Sequence, residues 1–288
     1  MRQFTSVFRM QLRYLLCRRR TGLLFLLMAV IVTLAVAESG LRYYGAELSS
    51  VPSAAGGWIG RAPKGGGSFF NLYVFVSFSR YLVLPIGALV FADSYLTDLK
   101  EGPYLAILTR SSSSAYRLSG ALLAFVGGFA VIFIPLLISF CLSFLMFPIE
   151  STVNPQNSGW SLLMVQKIKP GRILFAPLFF QHPYLTNLVY ICYDSLLAAC
   201  WALASYALGY LVRISRLLVV VIPTVFVILV GEALDYFQGG LSFDAYVNPI
   251  WQSDPRYTSV FFAYLVIPLL FFAAVMLPLF RQRKADEL

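Results

Sequence analysis

The chain has 288 residues, 59% of them hydrophobic and only 12% charged, with a formal charge of +9 and a mean hydropathy of +0.76. A soluble domain carries about 45–50% apolar and about 25% charged residues, so the composition excludes one and points to a polytopic membrane protein. The positive charge then reads as orientation, because Lys and Arg gather on the cytoplasmic side of a membrane chain. No nucleic-acid partner is expected.

Before the first apolar run, Phe4, Val7, Phe8, Leu12, Leu15 and Leu16 recur at near-helical spacing among Arg9, Arg13, Arg18, Arg19 and Arg20. This predicts an amphipathic interfacial helix over 1–20, lying along the inner leaflet with its basic side toward anionic membrane lipids. Leu23–Val36, followed by Ala35-Val36-Ala37 before Glu38, also has the look of a signal peptide. The long patterned stretch ahead of it favours an uncleaved anchor, as does the even number of spans.

A membrane-crossing helix needs about 20 mostly apolar residues. Six segments qualify: Thr21–Ala37, Asn71–Ala92, Leu118–Phe147, Leu188–Val212, Leu217–Ala233 and Val260–Phe280. The third is long and contains Pro135, where a kink is expected. Its Ser119, Gly120, Gly127 and Gly128 allow close helix packing.

With the N-terminus inside, the inner segments hold Lys100, Arg110, Arg117, Arg213, Arg216, Arg281, Arg283 and Lys284 besides the N-terminal arginines. Arg42, Arg61, Lys64, Lys167, Lys169, Arg172 and Arg256 fall in longer outside loops, where charge counts for less. The predicted fold is a single all-α domain over 1–288 with six transmembrane helices, N-in and C-in, in a cell membrane. Of its outside loops, Ala46–Ser68 is rich in Gly, Ser, Ala and Pro and is expected to be flexible. Segment 148–186 carries interfacial aromatics such as Phe175, Phe179 and Tyr184, and 234–259 has room for short surface or re-entrant helices.

Motifs for chemistry are missing. There is no GxxxxGK[ST], HExxH or GxSxG, and His182 is the only histidine. No catalytic residue, metal or cofactor is expected on this chain. Cys17, Cys141, Cys192 and Cys200 lie scattered in or beside apolar runs and read as small buried hydrophobes. Arg80 and Asp194 are the polar candidates inside spans, set either to pair or line a path, or to reach the outer headgroups. Glu232 and Asp235 read as solvated residues at a span's edge.

The most distinctive feature is the polar island 93–117 between the second and third spans. It holds Asp93, Asp98 and Glu101, a Gly102-Pro103 break, a short apolar turn from Tyr104 to Leu108, then Thr109-Arg110 and four serines. A loop that only reconnects two helices needs far fewer residues. Its order of Glu101-Gly102, Leu105, Leu108-Thr109-Arg110, Ser111–Ser114 and Arg117 resembles the permease subunits of type-2 ABC exporters. In that family a proline often follows the Thr-Arg position, where this chain has Ser111. The basic N-terminal helix, six spans and long last outside segment resemble the same family, so that the architectural resemblance covers nearly the whole chain.

The resemblance implies that the island is a cytosolic coupling helix seated in a cleft of a separate ABC ATPase subunit, which would hold ATP and Mg. Asp98, Glu101, Gly102, Tyr104, Leu105, Leu108, Thr109 and Arg110 would form the docking set. A second permease chain, identical or related, would complete the translocation path, and export follows from the resemblance. The aromatic outer surface fits an amphipathic or hydrophobic cargo. Two other readings use the same features: a non-transporting scaffold or sensor docking a soluble partner, and an ion-coupled carrier. No internal repeat supports the carrier.

Overall fold

The first apolar stretch of the chain is preceded by α1 (Arg2–Cys17) and forms α2 (Arg19–Arg42), the two joined at Arg18, whose backbone is extended. Then come a one-turn α3 (Ala54–Gly57), a π-helical turn Phe78–Leu82 leading into α4 (Val83–Leu89), and the island helices α5 (Ser94–Glu101) and α6 (Pro103–Leu108). The rest is α7 (Ser113–Met146), α8 (Ala176–Gln181), α9 (Pro183–Leu211), α10 (Arg216–Phe237), α11 (Asp244–Val247) and α12 (Thr258–Asp286). This computed structural model describes residues 2–47, 51–59, 78–109, 111–149, 174–212, 215–237, 239, 241–247 and 257–286, and all regular structure among them is helical.

Five of these helices, α2, α7, α9, α10 and α12, are long and apolar enough to cross a membrane. They contain five of the six expected spans. The second expected span is only partly described. Its residues 71–77 lie outside the described set, and the remainder is the π turn and α4, whose Val83, Leu84, Ile86 and Ala88 are buried. The run through Pro135 stays one unbroken helix.

One helix organises the bundle. The most apolar window of α9 is 78% buried, against 22–33% for α2, α10 and α12. Its small residues Ala198, Ala199, Ala202, Ala204 and Ala207 let neighbours approach closely. The peripheral helices keep Leu26, Leu229 and Leu270 facing outward. Helices that are apolar on nearly every side belong in hydrocarbon, not water.

Two expectations are corrected. The described part of the Gly- and Ala-rich loop is packed rather than free: Ala54 and Ala55 are fully buried, and so nearly are Trp58 and Ile59. Ser53 caps α3 by accepting from Gly56 N–H, Ala54 N–H donates to Pro148 O, and Trp58 Nε1 donates to Ser139 Oγ at 2.9 Å. Small side chains there allow a short helix to wedge between longer ones; the composition that reads as flexible is what permits the close fit. Among the cysteines only Cys200 is buried, while Cys17, Cys141 and Cys192 sit on exposed helix faces.

Of the expected helix 1–20, residues Arg2–Cys17 are helical as the periodicity predicts, and the chain breaks at the extended Arg18; the buried stripe Val7, Gln11 and Leu15 lies against α7. Ser119 Oγ donates to Gln11 Oε1, and a β-carbon on Gly127 would lie 3.4 Å from Leu15 Cδ1. Arg9, Arg13, Met10 and Tyr14 remain exposed.

Candidate functional site

The island is a helix–turn–helix with a sharp corner. α5 ends at Gly102, whose φ of +91° lies in the left-handed region, and its N–H closes on Asp98 O at 3.1 Å. Pro103 then opens α6, where a missing N–H is harmless. A β-carbon on Gly102 would meet nothing within 4 Å, so only backbone conformation resists substitution. Gly102→Ala is expected to destabilise the island by about 1–2 kcal/mol, read as faster amide exchange in α5 and α6 with little change across the spans.

Beneath that corner five tyrosines interlock. Tyr95 of α5 stacks on Tyr210 of α9 at 3.8 Å, and meets Tyr104 of α6 edge-on at 5.3 Å. Tyr104 meets Tyr116 of α7 at 5.3 Å, and Tyr206 lies 5.4 Å from Tyr210. The hydroxyls of Tyr206 and Tyr210 are 2.9 Å apart, and Tyr206 Oη donates to Arg117 O. Offset and edge-on aromatic pairs contribute about 0.5–1.5 kcal/mol each beyond their burial, so this cluster is a stiff joint.

Charged groups extend the joint. Tyr116 Oη donates to Asp98 Oδ2. Burial pushes the Asp98 carboxyl above the ordinary carboxylate range, although the Tyr116 hydrogen bond pulls it the other way. Arg117 Nη1 donates to Leu279 O of α12 at 2.7 Å, while its guanidinium lies 5.9 Å from the Tyr210 ring centre. Together Tyr95, Tyr104, Tyr210 and Arg117 surround a cavity of about 320 Å³ below Gly102. At the rim Arg216 Nη2 meets Glu101 Oε1 at 2.9 Å, a half-exposed pair that adds little to stability.

A second anchor lies where the chain leaves the bundle. Asp93 is fully buried at the start of the island. Arg18 reaches it with both guanidinium nitrogens, at 3.1 Å to Oδ1 and 3.2 Å to Oδ2, and Arg20 Nη1 lies 2.5 Å from Oδ2. The extended residue between α1 and α2 is thereby tied to the corner between α4 and α5.

The docking set predicted from sequence divides into two groups. Glu101, Gly102 and Thr109 are exposed, as are Pro103 and Ala106. Asp98 and Tyr104 instead turn into the tyrosine joint. The side chains of Leu105 and Leu108, and all of Arg110, lie outside the described residues. Of the basic set, Arg9, Arg13 and Arg19 are exposed, whereas Arg18 and Arg20 point at Asp93. Asp194 is buried in α9 and makes no ion pair among the described residues; the Arg80 side chain lies outside them.

Sequence reasoning missed the anchoring residues Asp93, Tyr95, Tyr116, Tyr206 and Tyr210. Tyr206 and Tyr210 stand one turn apart on one helix face, a pattern that was available. Among the described residues no three His, Cys, Asp or Glu side chains come together to hold a metal.

The island end therefore presents a small exposed helix pair with its base fixed to α7 and α9, and with α1 and α2 pinned beside it. Chemically it offers an exposed surface on a stiff base. No family model, no curated protein and no solved structure matches this chain.

Proposed function

We propose that this chain is the permease subunit of an ATP-driven exporter, with α5 and α6 as the cytosolic element that docks a separate ATPase. The observation that carries the reading is the tyrosine joint. A coupling element must move as one body with the spans it drives, and the island is joined to α7 and α9 through Tyr95, Tyr104, Tyr116 and Tyr210. A push on its exposed tip would pass through packed rings rather than bend a loop. The exposed tip itself, Glu101 to Pro103 with Ala106 and Thr109, is the face left for a partner. Arg19, Arg117 and Arg216 lie at this same end, which supports an inward orientation. A second permease chain and an amphipathic cargo belong to the same proposal.

The test is a mild-detergent pull-down of the tagged chain from its native cells, with mass spectrometry of what accompanies it. Replacing the whole island would remove Asp98 and Tyr104 from the joint, so the informative variant is Ala106→Glu with Thr109→Glu, both at exposed positions. The wild type is expected to bring down a stoichiometric soluble protein carrying GxxxxGK[ST]. The double variant is expected to lose it with an unchanged melting temperature. Recovery of the chain without such a protein, or equal recovery with the variant, would defeat the proposal.

A further inference from the structure

The polar atoms buried along α9 are nearly all accounted for. The Thr186 hydroxyl donates to His182 O just before the helix and the Ser195 hydroxyl to Ile191 O within it, while Tyr193 Oη and Trp201 Nε1 donate to Phe261 O and Tyr264 O of α12. Two acceptors of the amide or carboxyl type have no such partner. Asn187 Oδ1 and Asp194 Oδ1 are buried and accept no hydrogen bond among the described residues. Asn187 is fully buried and Asp194 is 6% exposed. Asn187 Nδ2 donates to Ala55 O of α3, which fixes the amide so that its oxygen is the atom left over.

Both acceptors lie on one face of the helix. They are seven residues apart, two turns or roughly 10 Å along the axis, and Ala198 continues the same face. Ala198 is the residue against which Gly87 of α4 packs. One turn before Gly87, α4 gives way to the π turn Phe78–Leu82, and such turns are frequent at functional sites. Both acceptors thus lie on the α9 face that meets α4 at Ala198, in the half of the bundle away from the island.

An ionised carboxylate with no partner at this depth is unfavourable by several kcal/mol. An acid here escapes that cost either by keeping its proton or by meeting a donor-rich cation, and the second course would make it a site. Two separated acceptors are too few for a metal ion bound by protein oxygens, whereas an ammonium group brings three donors to a single carboxylate.

From this geometry we infer that Asp194 is an intramembrane binding site for a primary ammonium group on an amphipathic molecule, with Asn187 as an outer acceptor two turns nearer the membrane edge. The site is a property of this chain alone and does not depend on an ATPase partner. The ammonium has two possible sources, a transported alkylamine or a phosphatidylethanolamine headgroup.

The experiment uses the full chain in phosphatidylcholine nanodiscs and dicyclohexylcarbodiimide, which adds to carboxyl groups in apolar surroundings. Mass spectrometry of the peptide carrying Asp194 reads the label, and Asp194→Asn confirms its position. n-Octylammonium at about ten times its Kd is expected to lower labelling by about tenfold, while n-octanol leaves it unchanged. Loss of labelling on adding phosphatidylethanolamine alone would identify the lipid headgroup as the natural donor, and protection by octylammonium only would identify an amine cargo. Equal protection by octanol, no protection by octylammonium, or an Asp194 that never labels would each overturn the site. Should Asp194→Asn fail to fold, the competition on the wild-type chain decides alone.

Discussion

Asp93→Ala is expected to lower the stability of the purified protein by about 3–5 kcal/mol, the largest effect of any single side-chain truncation at the island end. The carboxylate is 1% exposed and neutralises Arg18, itself 12% exposed, through two parallel hydrogen bonds. Removing it strands a guanidinium in surroundings that water barely reaches, and the penalty of an uncompensated buried charge exceeds the value of the pair itself. The two arginines should separate clearly. Arg18→Ala leaves Asp93 with Arg20, and Arg18→Lys keeps the charge but loses the fork. Arg20 is 40% exposed, so its removal is expected to reduce stability by no more than about 1 kcal/mol. Melting curves in detergent for Asp93→Ala, Arg18→Lys and Arg20→Ala measure the order. Equal effects of Arg18→Lys and Arg20→Ala would show that the fork has no special role.

Much of this architecture was legible because hydrocarbon imposes length and apolarity on a helix, and five apolar runs announce five helices without reference to their neighbours. The second expected span resists the same reading. Its described part is a π turn followed by a short buried helix, so its form depends on what packs around it. Gly and Ala at 54–57 signal flexibility in isolation and close packing in context, and only Trp58, Ser139 and Asn187 decide between them. The island was visible as polarity between apolar runs. Its division into an exposed tip and a buried base was not, because Tyr104 looks like a surface aromatic until Tyr95 and Tyr116 are placed beside it. Asp93 was visible as an acid at a span's end, yet its two partners lie 73 and 75 residues away in sequence, and no local pattern links them.

Glycine carries the same lesson, and gives the second large effect. Gly87→Ala is expected to destabilise the bundle by about 1–3 kcal/mol through overpacking, although alanine is the better helix former. A β-carbon there would lie 2.8 Å from Ala198 Cβ and 3.0 Å from Ala198 O, a rigid side chain and a helix backbone that cannot rotate aside. Gly128 faces the same crossing, with Ala202 Cβ at 3.0 Å and Gly87 O at 3.2 Å, so α4, α7 and α9 are held together at one point. Any widening there would be felt by all three. Gly209 is the control. It lies on α9 near the island, where a β-carbon would find its nearest neighbour, Leu96, at 3.8 Å. Gly209→Ala is expected to stabilise by about 0.4–1 kcal/mol. Thermal unfolding of the two single variants should therefore shift in opposite directions. A shift of the same sign in both would mean that the crossing can open to admit a methyl group, and that the close approach of the three helices is incidental to their stability.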